Sequence, residues 1–181
     1  MDKNSQLDEI AAAIGEYGFA VQQIENIKLN KPLIVAIKKG SRGRIMIFAG
    51  KYGMNDIASM DYTINSKGVY VSTFVVSEEM QQNGIGRFMW NLAMAHGDSY
   101  GKTCIYGEAN PTDPIRGVSG EDGVTFEQEK EKIMEIYSKL GCSFDDESFR
   151  RTWKAGEILK DSGEDIISLV NRINEEEQSE K

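Results

Sequence analysis

The chain has 181 residues, 40% of them hydrophobic, with a mean hydropathy of -0.44; it is long enough to bury one core without covalent staples and too apolar for a disordered polymer. Lys and Arg number 21 against 29 Asp and Glu, a net charge of -8, which argues against non-specific nucleic-acid binding, because a basic face is what displaces counterions. No apolar run approaches the roughly 20 residues that span a bilayer, nothing resembles a secretory h-region, and Cys104 and Cys142 have no CxxC spacing, so a cytoplasmic protein without a disulfide scaffold is expected.

In chain order, Ser5-x-x-Asp8 opens a helix on Leu7, Ile10, Ala11 and Ile14, with Gly15 and Gly18 as stops. Residues 19–27, 32–38 and 44–50 read as consecutive strands, the last two separated by a turn over 39–43. A short strand over 57–64 and a longer one over 68–77 follow. Asn83 is placed to cap a helix carrying Ile85, Phe88, Met89, Leu92 and Ala93 and ending near Gly97. A strand over 103–109 leads into a loop over 111–123, longer than ordinary connections. Thr125-x-x-Gln128 is a capping box, with Val124 as its staple, for a helix on Phe126, Ile133, Ile136, Tyr137 and Leu140 that stops at Gly141. Residues 142–153 form a strand or hairpin, and Ser162-x-x-Asp165 opens a last helix on Ile166, Leu169, Val170 and Ile173. One domain over 1–174 is expected, followed by a disordered acidic tail over 175–181.

The stretch from Val76 to Arg87 is the most informative. A β-branched strand enters a polar turn, and the turn opens a helix with two glycines at its mouth, which aims backbone N–H groups and a positive dipole end at one spot. A phosphate or pyrophosphate suits that spot. The dinucleotide fingerprint GxGxxG needs a third glycine where this chain has Met89. A nucleotide loop ending at Gly101-Lys102-Thr103 would need its first glycine at His96, and Thr103 begins a strand rather than a helix.

Gln81-Gln82-Asn83-Gly84-Ile85-Gly86 resembles the Q/R-x-x-G-x-G/A motif of the GCN5-related N-acetyltransferases (the GNAT superfamily). Asn110 follows the strand Cys104-Ile105-Tyr106-Gly107-Glu108-Ala109, and Ile136-Tyr137-Ser138-Lys139-Leu140-Gly141-Cys142 looks like that family's LYEKLGF helix end. The resemblance covers roughly 33–144, is sharp from Val69 onward, and departs at the 111–123 loop. It implies an α/β (α+β) fold, a mixed, mostly antiparallel central sheet flanked by helices, here with an added C-terminal helix.

The resemblance further implies an enzyme that moves an acetyl group from acetyl-CoA to a primary amine by direct attack. Main-chain N–H groups of Gln81, Gln82, Asn83, Gly84, Ile85, Gly86 and Arg87 would hold the pyrophosphate. The main chain of Phe74, Val75 and Val76 would pair with the pantetheine arm and offer an N–H to the thioester oxygen. Tyr137 would be the general acid, since a phenol titrates near 10 and can protonate a thiolate whose thiol titrates near 8.5. Its alternative is one more apolar-face residue beside Ile133 and Leu140. Asn110 would bond cofactor or substrate amides, or cap the strand before Pro111. Glu108, on one strand face with Tyr106 and Asn110, is a candidate base or an exposed carboxylate, and Glu78 and Glu79 read as solvated turn residues.

His96 ends a helix, where an imidazole meets free carbonyls, and no cluster of metal ligands is evident. The acceptor is expected to be a small-molecule or protein amine, cationic to suit the acidic chain, with no nucleic-acid or membrane partner; a homodimer is compatible. The competing reading is a non-catalytic module of the same fold that holds CoA or protein partners through the 111–123 loop and the last helix.

Overall fold

The computed structural model describes residues 3–25, 32–38, 40–49, 54–76, 84–108, 126–146 and 148–179. Along the chain these form α1 (Lys3–Gly15), β1 (Phe19–Ile24), β2 (Leu33–Lys38), β3 (Arg42–Ala49), β4 (Ala58–Asn65), β5 (Gly68–Val76), α2 (Ile85–Ser99), β6 (Cys104–Glu108), α3 (Phe126–Lys139), β7 (Ser143–Asp145), β8 (Ser148–Thr152), α4 (Glu157–Asp161) and α5 (Glu164–Ser179). The strands make one sheet in the order β1-β2-β3-β4-β5-β6-β8-β7. Every neighbouring pair is antiparallel except β5 and β6, which are joined through α2 and run parallel.

Burial follows the strand patterns. In β4 buried residues alternate with half-buried ones, as the two-residue period requires. In β2 the run Leu33 to Ile37 is buried throughout because both faces are covered. Ile34 and Ala36 pack with Leu7, Ile10 and Ile14 of α1, while Val35 and Ile37 join the larger core with α2, α3 and α5 on the other face.

Helix α2 is buried on almost every side because α4 and α5 lie over it as the sheet lies under it. Its end comes down onto β5 at Gly97, where a Cβ would fall 2.2 Å from the Val69 side chain. At the next residue, the buried Asp98 carboxylate accepts N–H bonds from Gly156 (2.7 Å) and Leu159 (2.8 Å) and so caps α4 across 58 and 61 residues of sequence. Asp98→Ala leaves both donors without that acceptor. A loss of about 1–3 kcal/mol is expected in urea unfolding, and an unchanged midpoint would refute the cap's role.

Several sequence expectations are corrected. α1 begins at Lys3, so Ser5 lies inside the helix and not at its cap. Ser162 closes α4, donating its hydroxyl to Ile158 O at 2.7 Å, and α5 starts after it at Glu164. α5 is helical through Ser179. α2 runs past Gly97 to Ser99, and its N-cap position falls on Gly84 (φ 84°) rather than Asn83. His96 lies in the last turn of α2 and is fully buried, with Nδ1 2.6 Å from the Tyr62 hydroxyl. Thr125, Val124 and the 111–123 loop lie outside the described residues. Among the described residues no helix is long and apolar enough to cross a membrane, and no three His, Cys, Asp or Glu side chains converge as metal ligands.

Candidate active site

The site forms where β5 and β6 part. Among the described residues they pair only at Val69–Ile105 and Tyr70–Tyr106. Just beyond, the β4 register places Tyr62 opposite Val71 and Asp61 opposite Thr73, so Ser72 is an extra residue in β5, a bulge. A bulge bends its strand, and here it coincides with the end of the β5–β6 pairing among the described residues. The bulge is pinned by Asp61: its carboxylate accepts from Thr73 Oγ1 (2.9 Å) and Arg44 Nε (2.7 Å), and its carbonyl from Ser72 Oγ (3.1 Å). Arg44 is held even more firmly in its charged form by the bond to that carboxylate. The main chain from Ser72 to Val75 thus stays unpaired with β6 among the described residues.

Helix α2 aims its N-terminus at the same place. Its first ladder bond is Phe88 N–H to Gly84 O (2.9 Å), so the N–H groups of Ile85, Gly86 and Arg87 point out of the helix end. Gly84 adopts the left-handed conformation that a side chain disfavours. A Cβ at Gly86 would lie 3.3 Å from the Phe74 ring and 3.6 Å from Val76, so the absence of a side chain lets the first turn sit against the end of β5. Gln81, Gln82, Asn83 and Asn110, with Glu78 and Glu79, lie outside the described residues.

Tyr137 reaches the parting strands from the α2 face. Its ring stacks on Phe149 of β8 (centroids 3.9 Å, planes 13° apart), faces Trp90 of α2 at 5.6 Å and lies 6.4 Å from Phe74 of β5. It is 4% exposed. The helix end carrying it is fixed three ways. Cys142 N–H bonds Tyr137 O and Gly141 N–H bonds Ser138 O, the paired bonds of a Schellman cap, with Gly141 at φ 91°. Arg87 Nη2 donates to Lys139 O (3.0 Å), and Arg151 Nη1 donates to Leu140 O (2.8 Å). Arg87 therefore ties the α2 mouth to the Tyr137 helix through its side chain, beyond the main-chain role the sequence suggested.

Glu108 stands exposed at the end of β6. Strand alternation puts it with Tyr106 on the sheet face opposite Tyr137, where it lines an open cavity with Tyr70. The two groups flank the parting strands from opposite faces. Phe149 and Trp90 hold the Tyr137 ring, and Arg87 and Arg151 hold its helix end, through tertiary contacts that no local sequence pattern signals.

Cys142 is half-buried beside this helix end, and burial pushes its thiol up to about 12, with Arg151 pulling the other way. Below the ordinary 9.0 the stability this lends is complete, and it is lost as pH rises toward 12. At neutral pH the thiol stays protonated, so it should label slowly with iodoacetamide in native protein and rapidly in denaturant; equal rates would contradict the burial.

No protein-family model matches the chain, and no curated protein sequence matches it. Its structure is similar to that of a cAMP-binding acyltransferase from Mycobacterium smegmatis, with a TM-score of 0.60 and 13% identity, over 94% of this chain and 59% of that one. A mutant of the same acyltransferase matches with a TM-score of 0.61 and 11% identity, over 92% of this chain and 57% of that one. The chain thus spans less than two thirds of the length of the acyltransferase it resembles. A mixed eight-stranded sheet, strands that part at a bulge, and a glycine-opened helix at the parting together give this protein the fold of the GCN5-related N-acetyltransferases.

Proposed function

We propose that the protein is an acyltransferase that moves the acetyl group of acetyl-CoA to a primary amine by direct attack, without a covalent enzyme intermediate. The observation that carries this reading is the parting of β5 from β6 at the Ser72 bulge, directly before the open N–H groups of α2. A strand edge with unpaired main chain suits the amide-bearing pantetheine arm. A helix N-terminus opened by Gly84 and Gly86 suits a pyrophosphate. The likeness in fold to an acyltransferase supports the same class.

In this reading the amine nitrogen attacks the thioester carbonyl carbon, and a main-chain N–H among Phe74, Val75 and Val76 steadies the oxyanion. The carbon–sulfur bond breaks, and Tyr137 gives its phenolic proton to the departing thiolate. Glu108, directly or through water, takes the proton the amine loses. The acceptor is a small-molecule or protein amine.

The burial and stacking of Tyr137 also suit a residue that only packs, and with it a module that binds CoA without turnover. One experiment separates the readings. Acetyl-CoA at 100 times its Kd is expected to stabilise the protein by about 2.7 kcal/mol, seen as a raised Tm, and to be consumed in an amine panel. Stabilisation without consumption would favour the binding module, and no stabilisation by any acyl-CoA would remove both.

A further inference from the structure

The sheet face that carries Glu108 holds a cavity of about 620 Å³ over β5, β6, β8 and β7. Strand register sets its chemistry in rows. Tyr70 lies beside Tyr106, and Tyr106 beside Arg150. Two residues on, about 7 Å nearer the parting strands, the row is Glu108, Ser148 and Asp145. Lys67, in the β4–β5 turn, lines the opposite end. The acids thus stand at the parting strands, Arg150 stands one row back beside the aromatic floor of Tyr70 and Tyr106, and Lys67 lies on the far side of that floor.

That floor is built, not incidental. The Asn65 side-chain oxygen accepts the N–H groups of Lys67 (2.9 Å) and Gly68 (3.2 Å), which fixes its amide in the turn. Its Nδ2 then donates to the Tyr106 hydroxyl at 2.8 Å. The Tyr106 ring meets Tyr70 at 5.4 Å, and Tyr70 remains 36% exposed, a large ring presented from a strand to solvent.

We propose that this cavity is the acceptor site and that the acceptor carries an anionic group, a carboxylate or a phosphate, in addition to its amine. The inference rests on the acyltransferase reading. The ammonium faces Glu108 and Asp145 beside the thioester, the carbon chain lies over Tyr70 and Tyr106, and the anion meets Arg150 and Lys67. A polyamine would set its second cation against those two bases, a like-charge contact that selects against it. The expectation of a simple cationic acceptor, drawn from the net charge of -8, is replaced here by a local balance of two acids at the parting strands and two bases set back from them.

The test uses the full chain saturated with CoA and isotope-labelled on its tyrosine rings, with the Tyr70 and Tyr106 signals assigned through Tyr70→Phe and Tyr106→Phe. The probes are ε-aminocaproate, aminohexyl phosphate and hexamethylenediamine, which share a six-carbon chain. At least one of the two anionic amines is expected to shift both rings and to bind tenfold or more tightly than the diamine, and which one does so tells carboxylate from phosphate. Arg150→Gln should abolish the difference, and Lys67→Gln, in an exposed turn, should narrow it. Diamine binding as tight as the better of the two anionic amines, silent rings with all three probes, or a difference that survives Arg150→Gln would each overturn the proposal. Because acetyl-CoA binding is read separately by Tm, loss of the acyltransferase reading itself appears as a missing Tm shift, whereas a failed acceptor assignment leaves that shift in place.

Discussion

Tyr137→Phe is expected to lower thioester turnover about 10²- to 10⁴-fold, the contribution of a positioned general acid. The Tm should change little, because the ring that stacks on Phe149 at 3.9 Å and faces Trp90 at 5.6 Å is kept and only the hydroxyl is lost. The acetyl-CoA Kd should hold as well, since the open main chain of β5 and the α2 mouth are untouched. Steady-state kinetics with an accepted amine, alongside thermal shift, provide the check. Undiminished turnover would return Tyr137 to a packing role and leave the leaving thiolate to be protonated by solvent.

The largest stability effect is expected at Trp90. It is fully buried and meets the rings of Phe74, Tyr137 and Phe149 at 6.1, 5.6 and 5.9 Å, so it joins the elements on both sides of the parting strands. Trp90→Ala should cost about 3–5 kcal/mol, the range for emptying an aromatic site in a core. Trp90→Phe should cost far less. It keeps a ring in place and removes an indole N–H that has no acceptor among the described residues. Urea unfolding of both variants tests the pair, and equal losses would show that something other than cavity formation sets the cost.

Strands and long helices were legible wherever local periodicity and burial agree. The run Leu33 to Ile37 and the alternation in β4 mark their strands in any context, and Gly141 marks the end of α3 through a backbone conformation that favours glycine. α4 was missed because five residues are too few to show a helical period, although Glu157, Leu159 and Lys160 are good helix formers; its cap comes from Asp98, 58 residues earlier. The Ser72 bulge was missed because neither glycine nor proline signals it, and only Asp61 on the neighbouring strand reveals what holds it. At the site the glycine pair and the helix tyrosine were readable as a motif. The stacking of Tyr137 on Phe149, the Asn65 bond to Tyr106 and the burial of His96 against Tyr62 depend on partners far away in sequence, where no periodicity can point.

The last helix leaves its mark on how the chain reaches this state. Ile166, Leu169, Val170 and Ile173 of α5 are buried in the main core, and the helix lies on β1. Gln22 Nε2 bonds Asp165 Oδ1 (2.8 Å) and Arg172 Nη1 bonds Val21 O (2.6 Å), contacts separated by 143 and 151 residues. On a ribosome the first strand is therefore made long before its cover, and it waits with an apolar flank exposed while the rest is synthesised. Contacts of such sequence separation close late and slow the final collapse. During that interval the leading edge of the sheet is the segment most in need of a chaperone's protection.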